Sequence, residues 1–193
     1  MSATTATPRP TNTWDIDTVH SSIGFSVRHL VISKVQGRFA RWTGQLTLDD
    51  AHPEHSQVAV RIEAASIDTH EPQRDAHLRS ADFLDAGAHP ELTFTSTRVE
   101  RSGDQRYQVA GDLTIAGVTR LVLLDVEGLG RTRDPWGGER VGFSARTTID
   151  RRDFGLTWNQ ALETGGVVVG EKVEIGLEIE AVRRAEQVAD RAA

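Results

Sequence analysis

The chain has 193 residues, no cysteine and a formal net charge of −6. This length suits one domain with a well-buried core, and the acidic balance argues against nucleic-acid binding through phosphate neutralisation. Without cysteine, disulfides and thiolate metal sites are excluded. Residues 1–13 lack the apolar stretch of a secretory signal, and no run reaches the roughly 20 apolar residues of a membrane span, so we expect a cytoplasmic protein without a transmembrane segment.

Alternation of apolar and polar residues dominates the first half of the chain. Residues 1–12 are rich in threonine, alanine and proline and predict a disordered tail. Strands are predicted over residues 34–48 and 58–64. The clearest strand covers residues 22–29, and one of its faces carries Ile23, Phe25, Val27 and His29.

The alternation stops over residues 74–96, RDAHLRSADFLDAGAHPELTFTS. Residues 74–80 predict a short polar helix, and Phe83 and Leu84 then follow between two carboxylates. Placed between strands, such a segment forms either a lid over a cavity or an ordinary cap on the end of a barrel. The sequence leaves both interpretations open.

The second half of the chain returns to the period-two pattern, and residues 184–193 form a charged tail. The whole sequence predicts roughly eight strands with hairpin connections and one helical insertion. This pattern is typical of an all-β sandwich or a closed antiparallel barrel. A barrel of about eight strands is either filled by its own side chains or holds one small ligand. The strands of this half are predicted over residues 107–115, 121–128, 141–149 and 172–182.

Seven short motifs occur in order between residues 14 and 182. Together they resemble the YceI family, whose members are described as polyisoprenoid-binding proteins with a lipocalin-like barrel. The sequence departs from the family pattern over residues 70–73, where a polar turn is usual, and at Leu84, where phenylalanine is usual. The motifs are Trp14-x-Ile16-Asp17-x-x-His20-Ser21-x-Ile23-x-Phe25-x-Val27-x-His29, Lys34-Val35-x-Gly37-x-Phe39, Ser66-Ile67-Asp68-Thr69, Arg74-Asp75-x-His77-Leu78-x-Ser80-x-Asp82-Phe83-Leu84-Asp85, Pro90-x-Leu92-Thr93-Phe94-x-Ser96, Gly111-x-Leu113-Thr114-Ile115-x-Gly117-x-Thr119 and Asp150-Arg151-x-Asp153-Phe154-Gly155-x-x-Trp158.

The resemblance implies a lipocalin-like antiparallel eight-stranded barrel over residues 13–183 with a short helical insertion. It implies an interior that accepts a long isoprenoid lipid, such as a polyprenyl phosphate or an isoprenoid quinone, and it suggests a homodimer. No cofactor is expected. For each residue expected to contact the lipid, plain core packing is the alternative. These residues are Phe25, Val27, Phe39, Ile62, Ile67, Leu78, Phe83, Phe94, Leu113, Ile115, Phe143 and Trp158.

Three polar residues are candidates for holding the head group of such a lipid. His29 ends an apolar face, where a histidine is more often a hydrogen-bonded core residue than a ligand-binding one. Arg74 and a protonated His77 could together bind a phosphate. The alternative is a network of caps and ion pairs that fixes the helix on the barrel, and for Asp75 we favour this second interpretation.

Two other functions fit parts of the sequence. A barrel with a filled interior would be a scaffold or a stress-linked partner-binding domain. A metal-dependent hydrolase could use Asp68, His70, Asp75 and His77, which supply the right kinds of ligand. However, the spacing of helical metal sites, a glycine-flanked nucleophilic serine and a phosphate loop are all absent. Lipid binding without catalysis is therefore the favoured prediction.

Overall fold

The computed structural model describes residues 12–30, 32–161 and 168–184. Over these ranges the chain forms eleven strands, one α-helix and three short 3₁₀ turns. The helix is α1 (Pro72–Arg79), and the turns are Pro53–His55, Ala64–Ser66 and Arg151–Phe154. The strands are β1 (Thr13–Ile16), β2 (Ser22–His29), β3 (Ser33–Phe39), β4 (Trp42–Thr47), β5 (Gln57–Glu63), β6 (Ile67–Asp68), β7 (Glu91–Gly103), β8 (Arg106–Ile115), β9 (Val118–Arg133), β10 (Glu139–Asp150) and β11 (Val169–Arg183).

The strands of the described ranges form one closed antiparallel barrel with eight positions. Around the ring the order is β1-β4-β5-β7-β8-β9-β10-β11, and β1 closes it by pairing with β11. The other three strands add no further position to the ring, because each is collinear with a strand that is already in it. Strand β2 continues β1 along β11, β3 leads into β4, and β6 continues β5. Interruptions at residues 17–21, 40–41 and 64–66 thus divide three long strands in two. The predicted eight-stranded barrel is confirmed.

The helix begins earlier than the pattern predicted, at Pro72 instead of Arg74. Proline is tolerated in the first helical turn because its missing N–H would have no partner there. Glu71 caps this turn, and its carboxylate accepts hydrogen bonds from the backbone N of Gln73 at 3.1 Å and of Arg74 at 2.5 Å. The departure from the family pattern over residues 70–73 is therefore the start of a helix. Residues 1–11, 162–167 and 185–193, which include most of both predicted tails and part of a predicted loop, lie outside the described residues.

The glycines of the strands do not leave the interior as empty as their lack of side chains would suggest. A Cβ at Gly111 would lie 2.4 Å from the ring of Phe94, and one at Gly37 would lie 2.3 Å from the ring of Phe25. These separations are too short for real atoms, so the aromatic rings already occupy the space beside the glycines. The small residues thus allow large side chains to pack on the opposite strands.

Packing inside the barrel is uneven. Inward side chains of β7 and β8, such as Leu92, Phe94 and Leu113, are buried. Inward side chains of β11 are only half-buried, although their strand neighbours Phe25 and Phe143 also face the interior. The exposed surface of these β11 residues therefore faces a space within the barrel. They are Val173, Ile175, Leu177 and Ile179.

Candidate functional site

A cavity of about 610 Å³ lies inside the barrel, and inward side chains from strands all around the ring line it. Pockets that hold small molecules usually have volumes of roughly 300 to 1,000 Å³ and mostly apolar walls. Eleven of the residues predicted to contact a lipid line the cavity, and whether they bind one stays a prediction. They are Phe25, Val27, Phe39, Ile62, Ile67, Leu78, Phe83, Phe94, Leu113, Ile115 and Phe143.

The wall formed by β9, β10 and β11 supplies lining residues that were not singled out from the sequence. Thr147 and Ile175 lie opposite each other on β10 and β11, and both line the cavity. The same alternation that predicted these strands also marks their inward faces. Further lining residues of this wall are Val122, Leu124, Val126, Val141, Ala145, Ile149, Val173, Leu177 and Ile179.

Helix α1 and the turn after it close one end of the cavity. The backbone N of Leu84 donates to the carbonyl of Leu78 at 3.1 Å, which folds the chain back under the helix. Phe83 and Leu84 are consequently buried, and both line the cavity together with Leu78. This segment, residues 72–86, covers an internal space, so we name it the lid.

A network around Thr69 fastens the lid to the barrel wall. The buried carboxylate of Asp75 accepts hydrogen bonds from the backbone N of Thr69 at 3.0 Å and from its Oγ1 at 2.5 Å. Arg74 donates to Oγ1 and to the carbonyl oxygen of Thr69, each at 2.7 Å. Arg79 donates to the carbonyls of Ala65 and Ile67, each at 2.8 Å. Arg74 is thus part of the fastening and does not line the cavity.

The remaining polar candidates also lie away from the cavity lining. His77 pairs through Nε2 with Asp82 at 2.8 Å, and its ring packs edge-on against Trp158 with centroids 4.6 Å apart. Trp158 in turn packs against Phe83 at 5.3 Å. Neither His77 nor Trp158 lines the cavity. His29 lies at the end of β2, paired with Ser33 of β3, and it does not line the cavity either. The contact of these three residues with a ligand stays a prediction.

The opposite end of the cavity, which we call the mouth, is polar and partly exposed. It lies where the β4–β5 loop, the β7–β8 turn and the far end of β9 meet, because β7 and β8 run from the lid to this end. Asp50, Gln57, Gln105 and Arg131 are exposed there, whereas the apolar lid residues Phe83 and Leu84 are buried. The residues of the mouth are Asp49, Asp50, Gln57, Gln105, Tyr107 and Arg131.

The charged groups of the mouth are engaged with one another or with the backbone. Arg131 binds the carboxylate of Asp50 through both terminal nitrogens, with Nη1 at 2.7 Å from Oδ2, and its guanidinium lies 5.2 Å above the ring of the buried Trp14. Asp49 accepts hydrogen bonds from the backbone N of His52 at 2.9 Å and of Ala51 at 3.1 Å. The bond from His52 contributes most to lowering the pKa of Asp49, so this carboxylate is charged at neutral pH.

The four residues considered for a hydrolytic metal site do not converge. Asp75 is buried against Thr69, whereas His77 binds Asp82. His70 is 76% exposed and lies 3.5 Å from Asp68. Within the described ranges, one cluster has donor atoms close enough together for a cation, and it contains none of these four residues.

That cluster, formed by Asp17, His20 and Glu180, already holds a positive charge. Nη1 of Arg140 donates to Asp17 Oδ2 at 2.9 Å and also to Glu180, while Nε donates to Asp134 at 2.9 Å. A metal ion would have to displace this guanidinium. The cluster therefore ties the β1–β2 connection and β11 to the β9–β10 hairpin.

The same cluster predicts a specific dependence of stability on pH. Hydrogen bonds from His20 and Arg140 lower the pKa of Asp17 from 3.8 to about 2. Because this pKa is lower in the folded state, the stabilisation is complete above pH 3.8 and is lost as the pH falls towards 2. We expect the guanidinium chloride midpoint to fall more between pH 5 and pH 2.5 in the wild type than in Asp17→Asn, which lacks this titration. Equal losses in the two proteins would contradict this role of Asp17.

Comparisons with known proteins identify the family. The YceI-like domain model matches residues 14–181. The chain belongs to the YceI-like family. The UPF0312 protein of Ectopseudomonas mendocina is 39% identical over 165 residues, which cover 86% of this chain and 83% of that protein. The resemblance noted from the seven motifs is therefore confirmed.

Solved structures show the same fold. The YCEI protein of Campylobacter jejuni is 33% identical, with a TM-score of 0.71 over 82% of this chain and 90% of that one. A domain of Saccharophagus degradans, described as a polyisoprenoid binding domain implicated in plant cell wall breakdown, has a TM-score of 0.65. Its identity is 15%, with 90% of this chain and 99% of that one covered, so it shows likeness of fold alone. Within the described ranges, no helix has the length and apolar character needed to cross a membrane.

Proposed function

We propose that this protein binds a long-chain isoprenoid lipid inside the barrel and thereby carries or sequesters it. The observation that carries the proposal is the apolar cavity, which is closed by the lid at one end and reaches solvent at a polar mouth. Each CH₂ group moved from water into such a cavity contributes about 0.8 kcal/mol. A long apolar chain can therefore be held without covalent chemistry and with few polar contacts, while the mouth contacts the head group.

The apolar walls of the cavity suit a long apolar chain better than a compact polar substrate. Apolar side chains from β2, β10 and β11 line the cavity along much of the barrel. Membership of the YceI-like family is consistent with this proposal, and the Saccharophagus degradans domain shows that a protein described as polyisoprenoid-binding has the same fold. A polyprenyl phosphate and an isoprenoid quinone both have the required tail.

The alternatives have less support. A scaffold or partner-binding barrel would be expected to fill its interior, and the half-buried inward face of β11 argues against a filled interior. A metal-dependent hydrolase needs converging ligands, and the residues considered for it point to different partners. We therefore propose a binding protein without catalytic activity.

Native mass spectrometry of the freshly purified protein tests the proposal directly. We expect an adduct with one lipid per chain, and organic extraction followed by mass analysis should release a molecule of isoprenoid mass. As a second arm, protein stripped of lipid should bind added geranylgeraniol. A protein that is free of ligand when purified and that stays so after incubation with isoprenoid lipids would contradict the proposal and favour the scaffold.

The predicted location and assembly need separate tests. The cytoplasmic location inferred from residues 1–13 stays a prediction, and cell fractionation would test it. The homodimer also stays a prediction, and sedimentation of the purified protein would test it. The binding proposal depends on neither, since the cavity is formed within one chain.

A further inference from the structure

The charges at the mouth carry information about the head group of the ligand. Among the described lining residues, the charged side chains are Asp49, Asp50, Arg131 and Arg151. Arg151 lies at the other end of the barrel, where it donates to the backbone carbonyls of Gly170 and Trp158. The mouth itself therefore has two carboxylates and one guanidinium, which gives it a net charge of −1.

The single cation of the described mouth residues is already paired. Arg131 forms a two-pronged ion pair with Asp50 and lies against Trp14. An anionic head group that approached Arg131 would lie beside the carboxylate of Asp50, whose like charge opposes it. Asp49 is fixed close by through its backbone hydrogen bonds and adds to the repulsion. At the mouth a phosphate is thus disfavoured on two counts, because the one guanidinium is already paired with Asp50 and the two carboxylates repel an anion.

The other polar groups of the mouth are uncharged. Gln57 and Gln105 each carry an amide that donates and accepts hydrogen bonds, and Tyr107 carries a phenol. The side chain of Gln105 lies over Gly128, since its Oε1 is 3.2 Å from the position that a Cβ there would occupy. These groups suit a head group with neutral oxygen atoms, such as an alcohol or the carbonyls of a quinone ring.

We infer that the mouth selects isoprenoid lipids with an uncharged, oxygen-bearing head group over those with a phosphate. This inference rests on the proposed function and narrows it to one class of head group. Asp50 disfavours a phosphate in two ways, because its carboxylate pairs with Arg131 and also adds negative charge to the mouth. Replacing Asp50 by asparagine would weaken both effects while keeping the size of the side chain.

The test measures affinities for three ligands that share one tail: geranylgeraniol, its monophosphate, and a quinone with a geranylgeranyl side chain. The wild type should bind the alcohol and the quinone at least roughly tenfold more tightly than the monophosphate. In Asp50→Asn, the preference for the alcohol over the monophosphate should shrink by about tenfold, because binding of the monophosphate tightens. The tighter binder of the two neutral ligands would show whether the mouth prefers an alcohol or a quinone as head group.

The matched control is Asp125→Asn, which makes the same change in overall charge. Asp125 is exposed on the outward face of β9 and does not line the cavity. The affinities of Asp125→Asn for the alcohol and for the monophosphate should therefore equal those of the wild type. Equal affinity of the wild type for alcohol and monophosphate would overturn the inference and leave the proposed function standing. Equal tightening of monophosphate binding in both variants would also overturn it. Failure of all three ligands to bind would overturn the proposed function and this inference with it.

Discussion

Thr147→Trp should weaken the binding of long isoprenoid chains by about 100-fold without unfolding the barrel. Thr147 lines the cavity on β10 and lies beside Ile175, which in turn pairs with Phe25 across the next strand. An indole ring at this position would occupy space that the lipid tail needs. Displacing about four CH₂ groups removes roughly 3 kcal/mol of burial, which corresponds to a loss of about 100-fold in affinity. Because the ring enters an existing cavity, it should not overpack the core.

The neighbouring residue provides the matched control for this variant. Thr148 is exposed on the outer face of β10, so Thr148→Trp makes the same substitution on the other side of the same wall. Titration with geranylgeraniol should show affinity close to wild type for Thr148→Trp, and thermal unfolding should show both variants folded. Undiminished affinity in Thr147→Trp would mean that the tail binds elsewhere. An equal loss in both variants would indicate damage to the strand.

The barrel could be predicted from the sequence because alternation reports directly which side chains share a face of a strand. The clear pattern over residues 22–29 and 107–115 corresponds to β2 and β8. The pattern does not show that three positions of the ring are each built from two strands. Those breaks depend on how residues 17–21 and 40–41 turn between neighbouring strands, and a period-two pattern contains no information about such turns.

The candidate site could be predicted in part, and the missing part has a physical reason. Apolar residues on inward faces line any internal space, so most of the predicted apolar residues line the cavity. The mouth was not predicted, because its main ion pair joins Asp50 and Arg131, which are 81 positions apart in the chain. Arg74 and His77 were considered for a head group because of their charge, but both lie at the lid end, and Arg74 is held by Thr69. Local charge in a sequence does not show which end of a barrel it will occupy.

Asp75→Ala should loosen the lid and speed the release of ligand. The side chain of Asp75 is 6% exposed, and its carboxylate accepts two hydrogen bonds from Thr69. Removing it leaves a buried N–H and a buried hydroxyl group with one acceptor fewer, which costs about 2 kcal/mol. Asp75 also lies in the first turn of α1, where a negative charge stabilises the helix. The loss should therefore be concentrated in residues 72–80, while the barrel strands keep their stability.

Hydrogen exchange distinguishes this local effect from general destabilisation. Amides of α1 should exchange faster in Asp75→Ala, while those of β7 and β8 change less. Gln73→Ala is the control, since Gln73 is exposed on the same helix. A lipid bound to Asp75→Ala should dissociate several-fold faster than from the wild type or the control, because the lid residues Leu78 and Phe83 form one end of the cavity. If both variants instead exchange and release lipid alike, Thr69 and Asp75 do not hold the lid, and the ligand leaves only through the mouth.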